Sequence, residues 1–304
     1  MENILINLSN ELAKLAQEAS PSVVAVHGRQ RYSSSGVHWR PGVVVTAEHT
    51  LRRDEDIQVT LSNGKTVDAT LAGRDRGSDL AVLRVEGLAA PALQIGPAES
   101  ARVGDLALVL GRSRDSGPNA SLGIVSAVSG SWRTWRGGQV EHYIRLDATL
   151  FPASSGGAVI DAQGRAIGIA TSALSRIAGL AIPAATVNRV TDGLLEKGFL
   201  ARGYLGVGVL PVPIAEALRS KLSLANTRGV IIMSAEPGGP ADAAGVLVGD
   251  TLLALDGKAI ESLEDLRSFL DTTAAGKKAQ AKLLSGGKLT EVTITVGALS
   301  HANG

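Results

Sequence analysis

Leu5, Leu8, Leu12, Leu15 and Ala19 recur at three- and four-residue steps, one apolar stripe on a short helix. Its polar face carries Asn10, Glu11, Lys14 and Glu18, and Ser20-Pro21 ends it, because the residue before a proline is pushed out of helical conformation. Such a stripe either packs on its own domain or meets another subunit. From Val23 the period changes. Short runs rich in Val, Ile and Leu (SVVAVHG, PGVVVTA, SDLAVLRV, DLALVLG, SLGIVSAVSG, GAVIDAQGRAIGIAT) alternate with Gly, Asn and Ser. Asn63-Gly64 between two alternating stretches predicts a hairpin, and Asp161 to Gly164 a second. Many evenly spaced strands with no helical pattern between them predict a sandwich or barrel, and residues 21–183 are long enough for two barrels.

A helical pattern follows over 184–200, with Val187, Val190, Leu194 and Leu195 on one face and Gly198 placed as a C-cap; it reads as a linker helix. The remainder, 201–298, mixes strands with helical patterns at 214–221, 239–245 and 262–271, enough for a small independent α+β domain. The pattern therefore divides the chain into an N-terminal helix (1–20), a mainly β domain (21–183), a linker helix (184–200) and an α+β domain (201–298).

Composition narrows the function classes. Of 304 residues, 44% are apolar and 19% charged, an ordinary globular balance. Aromatic residues make up only 3%, so aliphatic side chains must fill the core. Thirty basic against 29 acidic residues leave no basic excess of the kind that marks a nucleic-acid partner. The absence of cysteine removes disulfides, thiol nucleophiles and thiolate metal sites together. No apolar run approaches the ~18 residues of a membrane span. The first residues lack a basic segment and a cleavage site, so the chain as written reads as cytoplasmic, without a signal peptide. No His-Glu-x-x-His or other metal-ligand spacing occurs, and no cofactor is expected.

Three local signals stand in the order His, Asp, Ser. Val43-Val44-Val45-Thr46-Ala47-Glu48-His49 is a strand delivering a histidine at its end; Ser78-Asp79-Leu80-Ala81-Val82-Leu83 is an aspartate opening an apolar strand; Ser154-Ser155-Gly156-Gly157 is a serine in a glycine turn. Each is commonplace by itself. Together they are the three residue types that nucleophilic catalysis needs. A serine hydroxyl attacks only when a base takes its proton, imidazole is a base near neutral pH, and a carboxylate on its far nitrogen fixes the tautomer and stabilises the imidazolium.

At these residues the chain resembles the HtrA/Deg family of trypsin-like serine proteases with PDZ domains. Thr46-Ala47-Glu48-His49, Asp75 to Leu83, Gly123-Ile124-Val125-Ser126, Asp147 to Gly157 and Gly179 to Pro183 match that family's motifs in its order, over roughly residues 21–298. The resemblance implies a mainly β, chymotrypsin-like two-barrel protease domain followed by a small α+β PDZ domain. It also implies an ATP-independent endopeptidase acting on unfolded or misfolded proteins in protein quality control, with His49, Asp79 and Ser155 as catalytic residues. The oxyanion hole would fall on Ala153, Ser154 and Ser155. The family's usual Gly-Asn-Ser-Gly-Gly is here Ala153-Ser154-Ser155-Gly156-Gly157, and an Ala at 153 costs about 1–2 kcal/mol if its φ must be positive and little otherwise. A second reading follows from this departure, a catalytically impaired scaffold that binds peptides or partners through its PDZ domain.

The same alignment places Leu150 at the S1 pocket, with the loop from Ser172 to Ala178 completing it; Thr149 stands where a trypsin-type pocket carries Asp. Cleavage after small or medium aliphatic residues is expected. The loop from Ser129 to His142, with Trp132, Arg133, Trp135 and Arg136, stands at the family's activation-sensing position; its tryptophans either face a peptide or pack on the barrel. Tyr204, Leu205, Gly206 and Val207 resemble the loop that caps a peptide's terminal carboxylate, with a helix from Leu263 to Leu270 flanking the groove. Unfolded substrates and C-terminal peptides are the expected partners. A homotrimer is the expected assembly from the family, although residues 1–20 contain none of the aromatic contacts usual there. Family members work mostly in the cell envelope.

Overall fold

The computed structural model describes residues 3–29, 32–88, 91–97, 101–115, 117–200, 202–273 and 275–299. The chain divides into two compact units, residues 1–200 and 201–304.

Unit 1 opens with helix α1 (Ile4–Ala19), N-capped by Asn3, whose side chain accepts from Leu5 N–H. Six strands follow: β1 (Val23–His27), β2 (Ser34–Arg40), β3 (Val43–Ala47), β4 (Ile57–Thr60), β5 (Thr66–Asp75) and β6 (Leu80–Arg84). They close into a barrel in the order β1-β2-β3-β6-β5-β4. A second set comprises β7 (Leu106–Ser113), β8 (Gly117–Ser129), the short pair β9 (Trp132–Arg133) and β10 (Gln139–Val140), then β11 (Tyr143–Asp147), β12 (Ala158–Ile160), β13 (Ala166–Thr171) and β14 (Gly179–Pro183). Six of these close a second barrel in the order β11-β14-β13-β12-β7-β8. The hairpins expected at Asn63-Gly64 and Asp161–Gly164 join β4 to β5 and β12 to β13, with Gly64 at φ 82° and Gly164 at φ 77°.

The near-continuous apolar runs have a simple cause. Successive side chains of a strand point to opposite faces, and here both faces are buried. Val44, Ala81 and Leu83 join Val24, Val26, Ile57 and Val59 in the core of the first barrel. Their neighbours Val43, Val45, Leu80 and Val82 face a larger core shared with Leu110, Ile160 and Ile169 of the second barrel. Helix α2 (Ala184–Lys197) adds Val187, Val190 and Leu194 to that shared core and ends on Gly198, left-handed at φ 78°. Trp39 Nε1 donates to Asn188 Oδ1 (2.8 Å), and Gly73 leaves no room for a Cβ, which would stand 2.3 Å from the Gly198 carbonyl oxygen. Helix α1 contributes Leu15, Ala16 and Ala19 to the same core, while Leu5 and Leu8 at its other end remain exposed.

Unit 2 comprises β15 (Arg202–Tyr204), β16 (Val207–Pro213), α3 (Glu216–Leu222), β17 (Arg228–Ala235), α4 (Pro240–Ala243), β18 (Thr251–Leu255), β19 (Lys258–Ala259), α5 (Leu263–Thr272), β20 (Lys278–Ser285), β21 (Lys288–Thr295) and β22 (Gly297–Leu299). Its main sheet runs β16-β17-β18-β20-β21, with β19 on β18, and β15 pairs β22 separately. Strand β16 is therefore an edge. Helix α5 starts in a capping box between Ser262 and Asp265.

The burial of α2 predicts that Leu194→Ala lowers the unfolding free energy of unit 1 by about 2–5 kcal/mol, read as a shift of its urea midpoint. A change under ~0.5 kcal/mol, the usual effect of a surface substitution, would mean that the helix does not stabilise the barrels.

Candidate active site

Strands β3 and β6 pair antiparallel from Val43↔Arg84 to Ala47↔Leu80. Continuing that register by one step sets Glu48 against Asp79, and Glu48 N–H donates to the Asp79 carbonyl (3.0 Å). His49 follows in a short 3-10 turn, Glu48–Thr50. Its backbone N–H donates to Asp79 Oδ1 (2.9 Å), and its ring Nδ1 lies 3.0 Å from Oδ1 and 2.9 Å from Oδ2. A carboxylate can only accept, so the Nδ1–H tautomer is required and Nε2 is left as the basic nitrogen. Asp79 is fully buried and sits in the left-handed region at φ 60°. That conformation is rare outside glycine and is best tolerated by Asp and Asn.

The second barrel supplies the rest. Thr171, the last residue of β13, donates its hydroxyl to Asp79 Oδ2 (2.5 Å). Ser172, next along, has its Oγ 3.1 Å from Ser155 Oγ. The Ser155 turn is tied to the same strand: Gly156 N–H donates to the Ala170 carbonyl (2.8 Å) and Ala170 N–H to the Gly157 carbonyl (2.9 Å). It is tied to the first barrel through Ser35 N–H, which donates to the Ser155 carbonyl (3.1 Å). Gly156, at φ 85°, lies so close to the first barrel that a Cβ would meet Ser35 O at 2.2 Å and Thr46 Oγ1 at 2.6 Å. Only glycine fits. Ser155 is thus held in the same crevice as Ala47, two residues before His49. Among the described residues its hydroxyl bonds to Ser172 and not to His49.

Ala153 is absent from the residues with positive φ, so the left-handed penalty considered from the sequence does not arise. Its carbonyl accepts from Ser35 Oγ (2.5 Å). Ser154 N–H turns back to the Phe151 carbonyl (2.8 Å), and Ser154 Oγ donates to Asn119 Oδ1 (3.3 Å). The amides of Ala153 and Ser155 have no protein acceptor among the described residues. Leu150 packs on the second barrel's core, and a Cβ at Gly179 would stand 2.5 Å from its Cδ1. Ser172 is exposed.

Thr171 was not singled out from the sequence. Glu48 and Arg136 were named there, but their ion pairs around the site were not expected. Glu48, 6% exposed, lies 3.4 Å from Arg74 Nη1, 3.6 Å from Arg76 Nε and 3.7 Å from Arg136 Nη1. Arg136 Nη1 is also 3.7 Å from Asp79 Oδ1, and its guanidinium stacks over Trp135, 4.8 Å from the ring centroid. The turn between β9 and β10 reaches this position because Thr134 Oγ1 donates to the Gly77 carbonyl (2.7 Å) and Gly138 packs without a side chain on Gly77. The two tryptophans behave differently. Trp132 stacks edge-on against Tyr143 at 5.2 Å on the core, whereas Trp135 is 72% exposed.

In unit 2, Tyr204 to Val207 connect β15 to β16. Gly206 is left-handed at φ 73°, and its carbonyl accepts from Glu236 N–H (2.8 Å), while the Leu205 carbonyl accepts from Ala241 N–H (2.9 Å). The amides of Leu205 and Gly206 have no protein acceptor among the described residues. The Tyr204 hydroxyl donates to Glu236, and that bond raises the phenol's pKa. No group of three or more His, Cys, Asp or Glu side chains among the described residues is arranged to hold a metal, and no described helix is long and apolar enough to cross a membrane.

The His49–Asp79 geometry makes a spectroscopic prediction. In ¹⁵N-edited NMR of the imidazole, neutral His49 is expected as the Nδ1–H tautomer, with Asp79→Asn, whose amide can donate, shifting it toward Nε2–H. An unchanged tautomer in that variant would show that Asp79 does not set it.

Models of the trypsin-like peptidase domain and the PDZ domain match residues 34–169 and 203–296. Among curated relatives, a probable periplasmic serine endoprotease DegP-like of Brucella suis biovar 1 is 32% identical over 270 residues, covering 86% of this chain and 52% of the relative. The periplasmic pH-dependent serine endoprotease DegQ of Escherichia coli is 34% identical over 261 residues, covering 84% and 56%. The chain spans about half the length of the curated relatives it matches. Among solved structures, the HtrA-type protease AlgW with tripeptide superposes with a TM-score of 0.72 at 30% identity, covering 95% of this chain and 97% of that one. The serine endoprotease from Yersinia pestis gives 0.76 at 28% identity, covering 95% and 98%. Two closed six-stranded barrels, a PDZ unit and relatives matched along nearly their whole solved length agree: the chain belongs to the HtrA family of trypsin-like serine proteases with a C-terminal PDZ domain.

Proposed function

We propose that this chain is an ATP-independent serine endopeptidase that cleaves unfolded or misfolded proteins after small or medium aliphatic residues, under control of its PDZ domain. The observation that carries the reading is the buried Asp79 carboxylate oriented on His49 Nδ1, with Ser155 in the glycine turn of the facing barrel. In the reaction Ser155 Oγ attacks the scissile carbonyl while its proton passes to His49 Nε2. The amides of Ala153 and Ser155 receive the oxyanion, with Ser154 between them. His49 returns the proton to the departing amine, and water then hydrolyses the acyl-enzyme through the same base. Leu150 and the loop beginning at Ser172 shape the S1 pocket, whose apolar wall and lack of an acidic residue disfavour Lys and Arg. The amides of the Tyr204–Val207 loop hold a peptide's C-terminal carboxylate while its chain adds to the β16 edge. Unfolded chains and C-terminal peptides are the partners, and a homotrimer the assembly.

One observation favours a second reading, a peptide-binding scaffold with an impaired centre: the Ser155 hydroxyl is engaged by Ser172 and not by His49. The two readings separate on unfolded casein. As a peptidase the protein is expected to degrade casein, with Ser155→Ala slower by at least ~10³-fold. As a scaffold it would leave casein intact. Sequencing of the products is expected to show aliphatic P1 residues; a strong preference for Arg at P1 would contradict the assigned pocket.

Gly206→Ala tests the peptide site separately. At φ 73° the new side chain costs about 1–2 kcal/mol and stands 3.4 Å from Glu236. Weaker binding of a C-terminal peptide by calorimetry, in a variant that still folds with the wild-type circular dichroism spectrum, is the expected result; undiminished peptide affinity would remove this loop from the site.

A further inference from the structure

Arg112, at the end of β7, is 7% exposed. Its Nε donates to the Val23 carbonyl (2.6 Å), and Nη2 donates to the Ser20 carbonyl and to Ser20 Oγ (3.0 Å each). Among the described residues these bonds leave the two Nη1 hydrogens without an acceptor, and no carboxylate pairs with the guanidinium. Burial alone pulls its pKa below the ordinary arginine value. A buried, unpaired cation is costly, and native proteins normally neutralise or pair such a group.

Arg112 lines a cavity of about 480 Å³, within the range of small-molecule sites. Helix α1 contributes Ala16, the turn after it Pro21, and the second barrel Leu110, Asn119 and Ala120. Gln17, Ser20 and Ser62 line it as well, so one guanidinium stands among neutral hydrogen-bonding groups and apolar surface, a lining that fits a ligand with a single negative charge and a short apolar body. A phosphate dianion would need more than one cation.

We propose that this cavity is a binding site for a small organic carboxylate carrying a short apolar chain, with Arg112 Nη1 donating to the carboxylate and the Asn119 amide within the same wall. The shared chemistry belongs to a medium-chain fatty acid and to the terminal residue of an aliphatic peptide alike. Two hydrogen-bond paths join the site to the Ser155 turn. Arg112 N–H donates to Ser35 Oγ (2.8 Å), which in turn donates to the Ala153 carbonyl (2.5 Å); Asn119 Oδ1 accepts from Ser154 Oγ (3.3 Å). The site stands on the cavity and its cation and does not require Ser155 to be competent.

Calorimetric titration of the full chain with octanoate and, separately, with N-acetylleucine tests it, with octanol and octylamine as controls. At least one carboxylate is expected to bind saturably at one site per chain. Its affinity should fall at least ~10-fold in Arg112→Met, which keeps the stem and removes the charge-assisted hydrogen bonds. Ala120→Phe, which fills the cavity from an exposed position and leaves Arg112 in place, should weaken it similarly and carries the test if Arg112→Met fails to fold. Preference for octanoate assigns a lipid-derived ligand, and preference for N-acetylleucine a chain end. Unchanged affinity in Ala120→Phe, octanol binding as tightly as octanoate, or no saturable carboxylate binding would each overturn the inference.

Discussion

The site depends on satisfying one carboxylate in a fully buried position. A buried polar group left without partners is costly. Asp79 accepts from the His49 amide, the His49 ring and the Thr171 hydroxyl, with the Arg136 guanidinium 3.7 Å away. Hydrogen bonds to charged groups are worth about 1.5–3 kcal/mol each. The donors come from the end of β3, the end of β13 and the β9–β10 turn. Satisfying this carboxylate therefore requires both barrels and the turn to be docked at once.

The Ser155 side is built differently. Gly156 wedges the turn against Ser35 and Thr46, and β13 holds it from the other side, so the backbone around Ser155 is fixed by contacts that only glycine permits. The Ser155 hydroxyl itself is bonded to Ser172. The His49–Asp79 pair is thus formed, while the Ser155 hydroxyl is directed to Ser172 and not to His49. The exposed Trp135 lies beside this machinery, its ring under Arg136 and its Nε1 3.4 Å from the Ala173 carbonyl. Trp135 thus touches Arg136, which reaches Asp79, and Ala173, which follows Ser172.

How much of this could be read beforehand follows from how local each feature is. The barrels were legible because alternation and turn chemistry are short-range: Asn63-Gly64 and Asp161–Gly164 each carry their own hairpin. The pairing of His49 with Asp79, and the glycine turn that carries Ser155, were legible through motif order and the glycines that follow the serine. Thr171 and Arg136 were not, since each reaches Asp79 across a large sequence separation and neither has a local pattern that says so. The two tryptophans look alike in sequence, yet Trp132 meets Tyr143 and Trp135 meets solvent. The cost of Ala153 depended on a backbone angle that composition does not fix. Arg112 resembled any strand-end arginine until Val23 and Ser20 were seen to cover it.

The most direct test of the central claim is labelling by a fluorophosphonate serine-hydrolase probe, with mass spectrometry of the modified peptide, in wild type and Ser155→Ala, with and without casein. The account predicts modification at Ser155, absent from the variant and strengthened by casein as the hydroxyl leaves Ser172 for His49. A folded protein that takes no label under either condition would contradict it and leave the double barrel as a peptide-binding scaffold.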